Sequence, residues 1–539
     1  MARGSTVKIA SRTPWHAVRL RFVLVAAASI AAASTVVAVG PSSADTTPFT
    51  SSYIVSDLSG TTGLALQAVL LVGGKLLQTL GVANAIEATL TIPEVALLGN
   101  VPGIEVTPNI LISMQSAGFH LAASQAPAAV FPQQTGASQL WARGDTGQGV
   151  NVAVLDTGIS ALPDLASRLV GGVDLSGGNN PFLDSYGHGT FVAGLIASSG
   201  ASSGGQYKGE APGAGLVSVK VAGASGSTTL ATVMAGVGWT ITHAAQLHIR
   251  VLNMSLGFVP WQSTSLNPLD QAVQAAWDAG IVAVTSAGNA GPFNGTILSP
   301  GDDPLVITAG ALNDNGSTAA AGDTIPSFSS AGPTDPDGYY KPDLVASGKS
   351  VVSLAEPGST IYEDFPSARV GSSNFVGSGT SFSAAITSGA VALDLEMHPS
   401  DKPNDVKARL LATTSPGPTG NPFVDGHGEL NVAAAVANNA VHLRQPYGFL
   451  DLSVGTSVRL SVPWTLSSWD PSNWSALSPT SSGGAPVASG LTWNGSAWNG
   501  SAWNGSAWNG SAWNGSAWNG SAWNGSAWNG SAWNGASWS

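Results

Sequence analysis

Gly377-Ser378-Gly379-Thr380-Ser381-Phe382-Ser383-Ala384-Ala385 runs directly into a mostly apolar stretch, residues 386–395, and the two together read as a turn followed by a buried helix. Glycines let such a turn take conformations that a side chain forbids, and they deliver Ser381 to the first helical turn with its hydroxyl outward. Unpaired N–H groups and the positive end of the helix dipole favour negative charge there, which is what an attacked carbonyl oxygen becomes. A serine at a helix start is by itself most often an N-cap. What makes this one a candidate nucleophile stands upstream.

Val152-Ala153-Val154-Leu155-Asp156-Thr157-Gly158 is a short apolar run closed by Asp and Gly, the pattern of a buried parallel strand with a carboxylate at its C-terminal end. Open α/β sheets place their sites at that end. Asp184-Ser185-Tyr186-Gly187-His188-Gly189-Thr190 precedes the apolar run 191–196, so His188 also stands at the mouth of a helix. Alone, an Asp at a strand end caps a turn and a His between glycines is a loop residue. Together Asp156, His188 and Ser381 supply an orienting carboxylate, a base near neutral pH and a nucleophile, the minimal set for serine acyl transfer. The order Asp, His, Ser is one of three unrelated orders for this constellation.

With these motifs in that order, the chain resembles the subtilisin-family (subtilase) serine peptidases over roughly residues 137 to 440. Gly147-Gln148-Gly149-Val150, Asn253-Met254-Ser255-Leu256-Gly257, Ser286-Ala287-Gly288-Asn289, Ser327 to Pro333 and Lys341-Pro342-Asp343-Leu344 extend the likeness. The resemblance implies an oxyanion donor in Asn289 beside the Ser381 backbone N–H. It also implies an extended peptide substrate pairing with Ser255-Leu256-Gly257 and with Ala222-Gly223-Ala224, and no cofactor for the chemistry. Several positions depart from the family pattern. The proline that usually follows the serine motif is missing, Ala346-Ser347-Gly348 replaces Ala-Pro-Gly, and Phe191 stands where many members have a second His. Residues 198–209, where some members carry a calcium loop, are Gly- and Ser-rich. Calcium prefers several oxygen ligands with carboxylates among them, so no metal ligand is assigned and a structural calcium lacks a ligand loop.

The alternation of apolar runs (217–221, 250–255, 281–286, 305–310) with helical stretches (229–243, 269–279) reads as a doubly wound, mostly parallel α/β domain. Upstream, residues 45–125 differ in kind. A strand at Tyr53-Ile54-Val55, a helix over 61–80, a strand over 87–92, a helix over 92–98 and a strand near 104–107 suggest a small α+β, ferredoxin-like fold. That order is similar to the inhibitory propeptide of subtilases; the alternative is an N-terminal domain of unknown role. Residues 126–136, within an Ala-, Pro- and Gln-rich stretch from 124 to 139, are expected to be the flexible processing linker, followed by the catalytic domain at 137–440.

Residues 1–44 read as an export signal, with Arg3, Lys8, Arg12, Arg19 and Arg21 ahead of an Ala-rich apolar run and small residues before a cut after Ala44; an uncleaved anchor is the alternative. Secretion agrees with the rest of the chain. Among 539 residues only 9% are charged, the net charge is −12 and there is no cysteine. Nothing therefore invites nucleic acid, and thiol chemistry, cysteine-ligated zinc and disulfide staples are excluded. Residues 441–490 hold a small hairpin and a Ser/Pro/Gly linker. From Trp493 the chain becomes a Trp-Asn-Gly-Ser-Ala repeat, the tail 491–539. With nothing aliphatic to close a core it reads as low complexity, or as a row of aromatic platforms for a glycan or cell-wall surface. The expected partners are protein or peptide substrates and the chain's own propeptide. An inactive scaffold or a surface-binding protein would leave the three candidate groups unexplained.

Overall fold

The computed structural model describes residues 50–60, 62–114, 118 and 129–439. The expected signal, the hairpin and linker, and the Trp repeats lie outside these residues. The chain divides into two units, Met1–Ile110 and Leu111–Ser539.

In the first unit, β1 (Thr50–Asp57), a helix Thr62–Val72, β2 (Lys75–Leu80), β3 (Ala85–Thr91), a helix Ile92–Leu98 and β4 (Ile104–Pro108) build an antiparallel sheet in the order β2-β3-β1-β4. This is the ferredoxin-like succession that the sequence suggests, with one correction. The helix expected over 61–80 stops at Val72, because Gly73 turns at φ +93° and a Cβ on Gly74 would lie 2.4 Å from Leu90 Cδ2. Only a glycine pair lets the chain reverse so close to β3, and Lys75–Leu80 returns as a strand. The second helix starts on a capping box between Thr91 and Glu94. Val55, Val69, Ile86, Leu90 and Leu98 form the buried core between helices and sheet.

The second unit opens with β5 (Leu111–Ser113), which pairs antiparallel with a short edge strand, β9 (Ser227–Thr229). Its centre is a sheet of β6 (Asn151–Asp156), β7 (Leu169–Asp174), β8 (Gly215–Lys220), β10 (Ile249–Met254), β11 (Val282–Ser286), β12 (Ile307–Leu312) and β13 (Leu344–Ser347). These seven strands are all parallel, in the order β13-β12-β11-β10-β6-β8-β7. Their runs of Val, Ile, Leu and Ala are apolar throughout because helices cover both faces; Val152, Ala153, Val154 and Leu155 are all fully buried. The chain leaves β6 toward β8 and β7, then returns to its other side through β10, so the order reverses at β6. Open sheets of this kind bind ligands at such a reversal, outside the carboxyl ends of the strands. Asp156 closes β6 at that end.

The helix Leu230–His243 starts where the Thr229 hydroxyl accepts from Thr232 N–H, and Pro268–Asp278 starts behind an Asn267 cap. The helix Thr380–Met397 packs across β10, β11, β12 and β13 and is buried from Thr380 to Leu395. A small antiparallel sheet of β14 (Val351–Leu354), β15 (Arg369–Val370) and β16 (Asn374–Gly377) leads into it.

Two expectations about boundaries change. The stretch expected as a flexible linker is folded from residue 130 on, since Val130, Phe131, Ala137 and Leu140 are buried in the second unit. Ala433 N–H also bonds to Thr135 O there. The apolar run 305–310 becomes a strand only at Ile307, because the carbonyls before it turn onto two buried ammonium groups. Lys341 Nζ lies 2.9 Å from Val306 O, while Lys407 Nζ reaches Pro304 O at 2.9 Å and Val306 O at 2.8 Å. Asp343 pairs with both lysines, at 2.7 and 3.0 Å. All three are fully buried. In a chain without cysteine, this cluster ties the start of β12, the start of β13 and the helix Pro403–Ala412 together; breaking such a buried pair costs about 3–5 kcal/mol.

Candidate active site

Three segments at the carboxyl edge of the sheet carry the candidate groups. Asp156 ends β6, His188 opens the helix His188–Ala197, and Ser381 is the second residue of the long buried helix. All three are at most 1% exposed. His188 Nδ1 lies 2.8 Å from Asp156 Oδ1 and 2.9 Å from Oδ2, so the carboxylate fixes the ring with the proton on Nδ1. The His188 Nε2 atom is buried and has no hydrogen-bond partner. Burial opposes charging the imidazole, but the charge and hydrogen bond of Asp156, with the Asp184 charge behind, outweigh it and raise the His188 pKa. Phe382, next to Ser381, places its ring 5.9 Å from the imidazole, which brings the two helix starts together. The Ser381 hydroxyl points at Ser255 O, 3.2 Å away, and the Ser255 hydroxyl donates to Ser381 O at 2.9 Å.

Asp184 has a part that its place in the motif did not reveal. Its carboxylate accepts from Gly187 N–H at 2.7 Å, Thr190 N–H at 2.8 Å and the Thr157 hydroxyl at 2.8 Å. Thr157 in turn accepts from Gly189 N–H at 2.9 Å. One buried carboxylate thus locks the turn before His188 to the turn after Asp156. Gly189 must be small, since a Cβ there would sit 2.2 Å from Gly158 O.

Asn289 follows β11. Its Oδ1 accepts from Thr380 N–H at 2.9 Å and from the Thr380 hydroxyl at 3.1 Å, which anchors the side chain to the residue before Ser381. Ser255, Leu256 and Gly257 leave the end of β10, the first two buried, and a Cβ on Gly257 would lie 2.7 Å from Ser299 O. Ala222 and Gly223 follow β8, Ala222 being buried. Further along, at Gly226 to Thr229, the backbone pairs with an extended segment of the chain itself. There β5 is hydrogen bonded, and Met114 N–H donates to Gly226 O at 2.8 Å. A three-residue polar edge strand has no apolar alternation to announce it. The signal that could have found it is Gly226 itself, where φ is +66° and a Cβ would meet the Tyr186 ring at 2.5 Å.

Residues 198–209 close around a carboxylate from elsewhere. Asp164 accepts the Ser202 N–H at 3.2 Å and the hydroxyls of Ser198 and Ser202. Asp394, His398 and Asp401 lie close enough together to hold a cation. The Arg409 guanidinium already forks between their two carboxylates, pairing with Asp394 at 2.7 Å and with Asp401.

The subtilase-family model matches residues 147–446. Serine protease AprX of Bacillus subtilis (strain 168) is 44% identical over 296 residues, 54% of this chain and 67% of that protein. Subtilisin E of the same organism is 34% identical over 370 residues, 67% of this chain and 83% of that protein. Among solved structures, fervidolysin of Fervidobacterium pennivorans, described as a keratinolytic enzyme related to subtilisin, superposes with a TM-score of 0.56 at 22% identity. That match covers 75% of this chain and 63% of fervidolysin, and it speaks for the fold. The parallel sheet, the Asp156 and His188 geometry at its switch point and these likenesses converge: the chain belongs to the subtilase family, the subtilisin-like serine endopeptidases.

Proposed function

We propose that this chain is a secreted serine endopeptidase, made as a zymogen, in which Ser381 is the nucleophile, His188 the general base and acid, and Asp156 the group that orients and stabilises the imidazole. The observation that carries the reading is the imidazole held at Nδ1 by both Asp156 oxygens while Nε2 is left without a partner beside the helix start that bears Ser381. In the reaction the Ser381 hydroxyl leaves the Ser255 carbonyl for Nε2. His188 takes its proton as Oγ attacks the peptide carbonyl, and returns it to the leaving amine. Water then releases the acyl-enzyme by the same route. The raised His188 pKa suits the charged form that appears in each transition state. The oxyanion falls to the Ser381 backbone N–H and the Asn289 amide. Asn289→Ala is expected to lower kcat by about a hundredfold to a thousandfold with little change in KM, measured on a chromogenic peptide.

The zymogen reading rests on where residues 111–114 and 118 lie. β5 adds to β9 as an extra antiparallel strand, with Ile112 and Met114 each 1% exposed, as a bound peptide would lie. Beyond it, Ser378 N–H donates to Gly118 O at 2.9 Å, three residues before Ser381. The bond that is cut on maturation therefore falls between Met114 and Gly118, ahead of the stretch that composition alone favours. Residues before it act as the inhibitory propeptide, the signal directs export, and the Trp repeats serve retention at a glycan-rich surface. Intact-mass analysis and N-terminal sequencing of the maturing precursor test this. A mature chain starting at residues 115–118, and none when a serine-directed inhibitor is present, is expected. A first residue beyond 124, or processing indifferent to the inhibitor, would refute it.

A further inference from the structure

Gly257 and Gly288 hold equivalent places at the carboxyl edge of the sheet, each three residues beyond the last paired residues of β10 and β11, Met254 and Thr285. Both lie beside the start of the helix that bears Ser381. Gly257 stands two residues after Ser255, whose carbonyl accepts the Ser381 hydroxyl, and Gly288 N–H donates to the Thr380 hydroxyl at 3.1 Å. A single side chain takes the space that the two glycines leave. A Cβ on Gly288 would lie 2.7 Å from Leu298 Cγ and 3.0 Å from its Cδ1, while a Cβ on Gly257 would lie 2.9 Å from Leu298 Cβ and 3.4 Å from the same Cδ1.

The backbone under that leucine is held from both sides. Leu298 N–H donates to Ala287 O at 3.0 Å next to Gly288, and Phe258 and Ser299 exchange bonds of 3.1 and 2.9 Å next to Gly257. Ile297 and Ser299 are 1% and 0% exposed, whereas Leu298 between them is only half-buried. Leu298 thus keeps part of its surface accessible beside the two glycines, where its neighbours in sequence keep almost none.

A peptide that pairs with Ser255-Leu256-Gly257 and presents a carbonyl to Ser381 and Asn289 passes both segments. The side chain of the residue that owns this carbonyl then has the slot between Gly257 and Gly288 to enter, since neither wall carries a Cβ. A leucine fixed in the slot shortens it. Methylenes forced into occupied space push side chains off their rotamers or shift the backbone, and both are costly.

We propose, on the mechanism given above, that Leu298 is the floor of the pocket for the residue on the acyl side of the cut bond and restricts that residue to a small side chain: alanine, serine or glycine. The selection works by exclusion as much as by attraction. A methyl group meets the leucine with the carbonyl in place at Ser381, whereas a phenyl ring meets it before the carbonyl arrives. Preferred cuts therefore fall after small residues.

The test compares kcat/KM on tetrapeptide p-nitroanilides that differ only in the last residue, alanine or phenylalanine, for the mature parent, Leu298→Gly and Leu298→Ala. The parent is expected to favour alanine by about tenfold or more. Leu298→Gly should raise kcat/KM for phenylalanine by about tenfold to a hundredfold and lower it for alanine, so that the order reverses; Leu298→Ala should move the ratio the same way by less. A parent that prefers phenylalanine overturns the proposal. So do variants that lose activity equally on both substrates, which would make the leucine structural only. Where neither variant folds, the parent's own ratio decides. Titration with a serine-directed fluorophosphonate separates the two ways of failing. A parent that neither reacts with it nor hydrolyses either substrate overturns the mechanism and this inference together, whereas a reactive parent with the opposite preference overturns the inference alone.

Discussion

Replacing Ser381 by alanine is expected to lower kcat on peptide substrates by about a million-fold, a magnitude taken over from subtilisin itself, and to leave the precursor unprocessed. The size follows from the proposed mechanism, in which the three groups act as a unit. Without Oγ there is no nucleophile for His188 to activate, so the imidazole and Asp156 contribute nothing that survives the change. Only the oxyanion donors and substrate binding remain, which sustain about a thousandfold to ten-thousandfold acceleration over water. Stability should hardly change, because the substitution removes one small hydroxyl, whose bond to Ser255 O is a long one at 3.2 Å. Progress curves with the purified variant and the mass of its precursor are the measurements. A variant that keeps a tenth of the parent's kcat, or that matures at the parent's rate, would rule out Ser381 as the nucleophile.

Glu210 carries the second large effect. It is fully buried between the helix His188–Ala197 and the helix that bears Ser381, and a Cβ on Gly389 would come within 2.5 Å of its own Cβ. Neither carboxylate oxygen has a well-formed hydrogen bond. Burial drives its pKa up to about 8, with the Thr135 hydroxyl pulling only weakly the other way. The folded state therefore holds a proton that the unfolded chain gives up near 4.5. The contribution of Glu210 to stability is complete at acid pH, is lost progressively as pH rises from about 4.5 to about 8, and is flat above. The loss amounts to about 5 kcal/mol at most. Glu210→Gln keeps the shape without the proton, so its advantage over the parent should be absent near pH 4.5 and grow toward pH 9. Denaturant unfolding of both proteins in the Ser381→Ala background measures it. An advantage that is constant across that range would show that Glu210 stays ionised in the folded chain.

Much of the fold and the candidate site was legible in the sequence because each carries its own local signal. Val152 to Asp156 is a strand that ends in a carboxylate, and the run beyond Ser381 is a helix apolar on every side; neither leaves a second reading once both faces of the sheet are covered. Where reading failed, the deciding contact came from far along the chain. Lys75 to Leu80 is as good a helix as a strand until Leu90 forces the Gly73-Gly74 turn. Residues 305–306 read as strand until Lys341 and Lys407 draw their carbonyls aside. Ser227 to Thr229 has no apolar pattern, and apart from Gly226 before it only the segment that pairs with it marks it as an edge. Glu210, Asp270 and Asp302 are the clearest case. A charged residue in sequence is expected at the surface, and nothing within ten residues of any of them announces burial.

The helix that carries Ser381 has no solvent-facing side from Thr380 to Leu395. Such a segment cannot breathe in isolation, since opening any turn of it would strip cover from four strands at once; its amides exchange only when the whole domain opens. The serine is thus set into the most slowly yielding part of the molecule. An enzyme built this way does not lose its catalytic power by gradual softening on heating: each copy retains all of it or none.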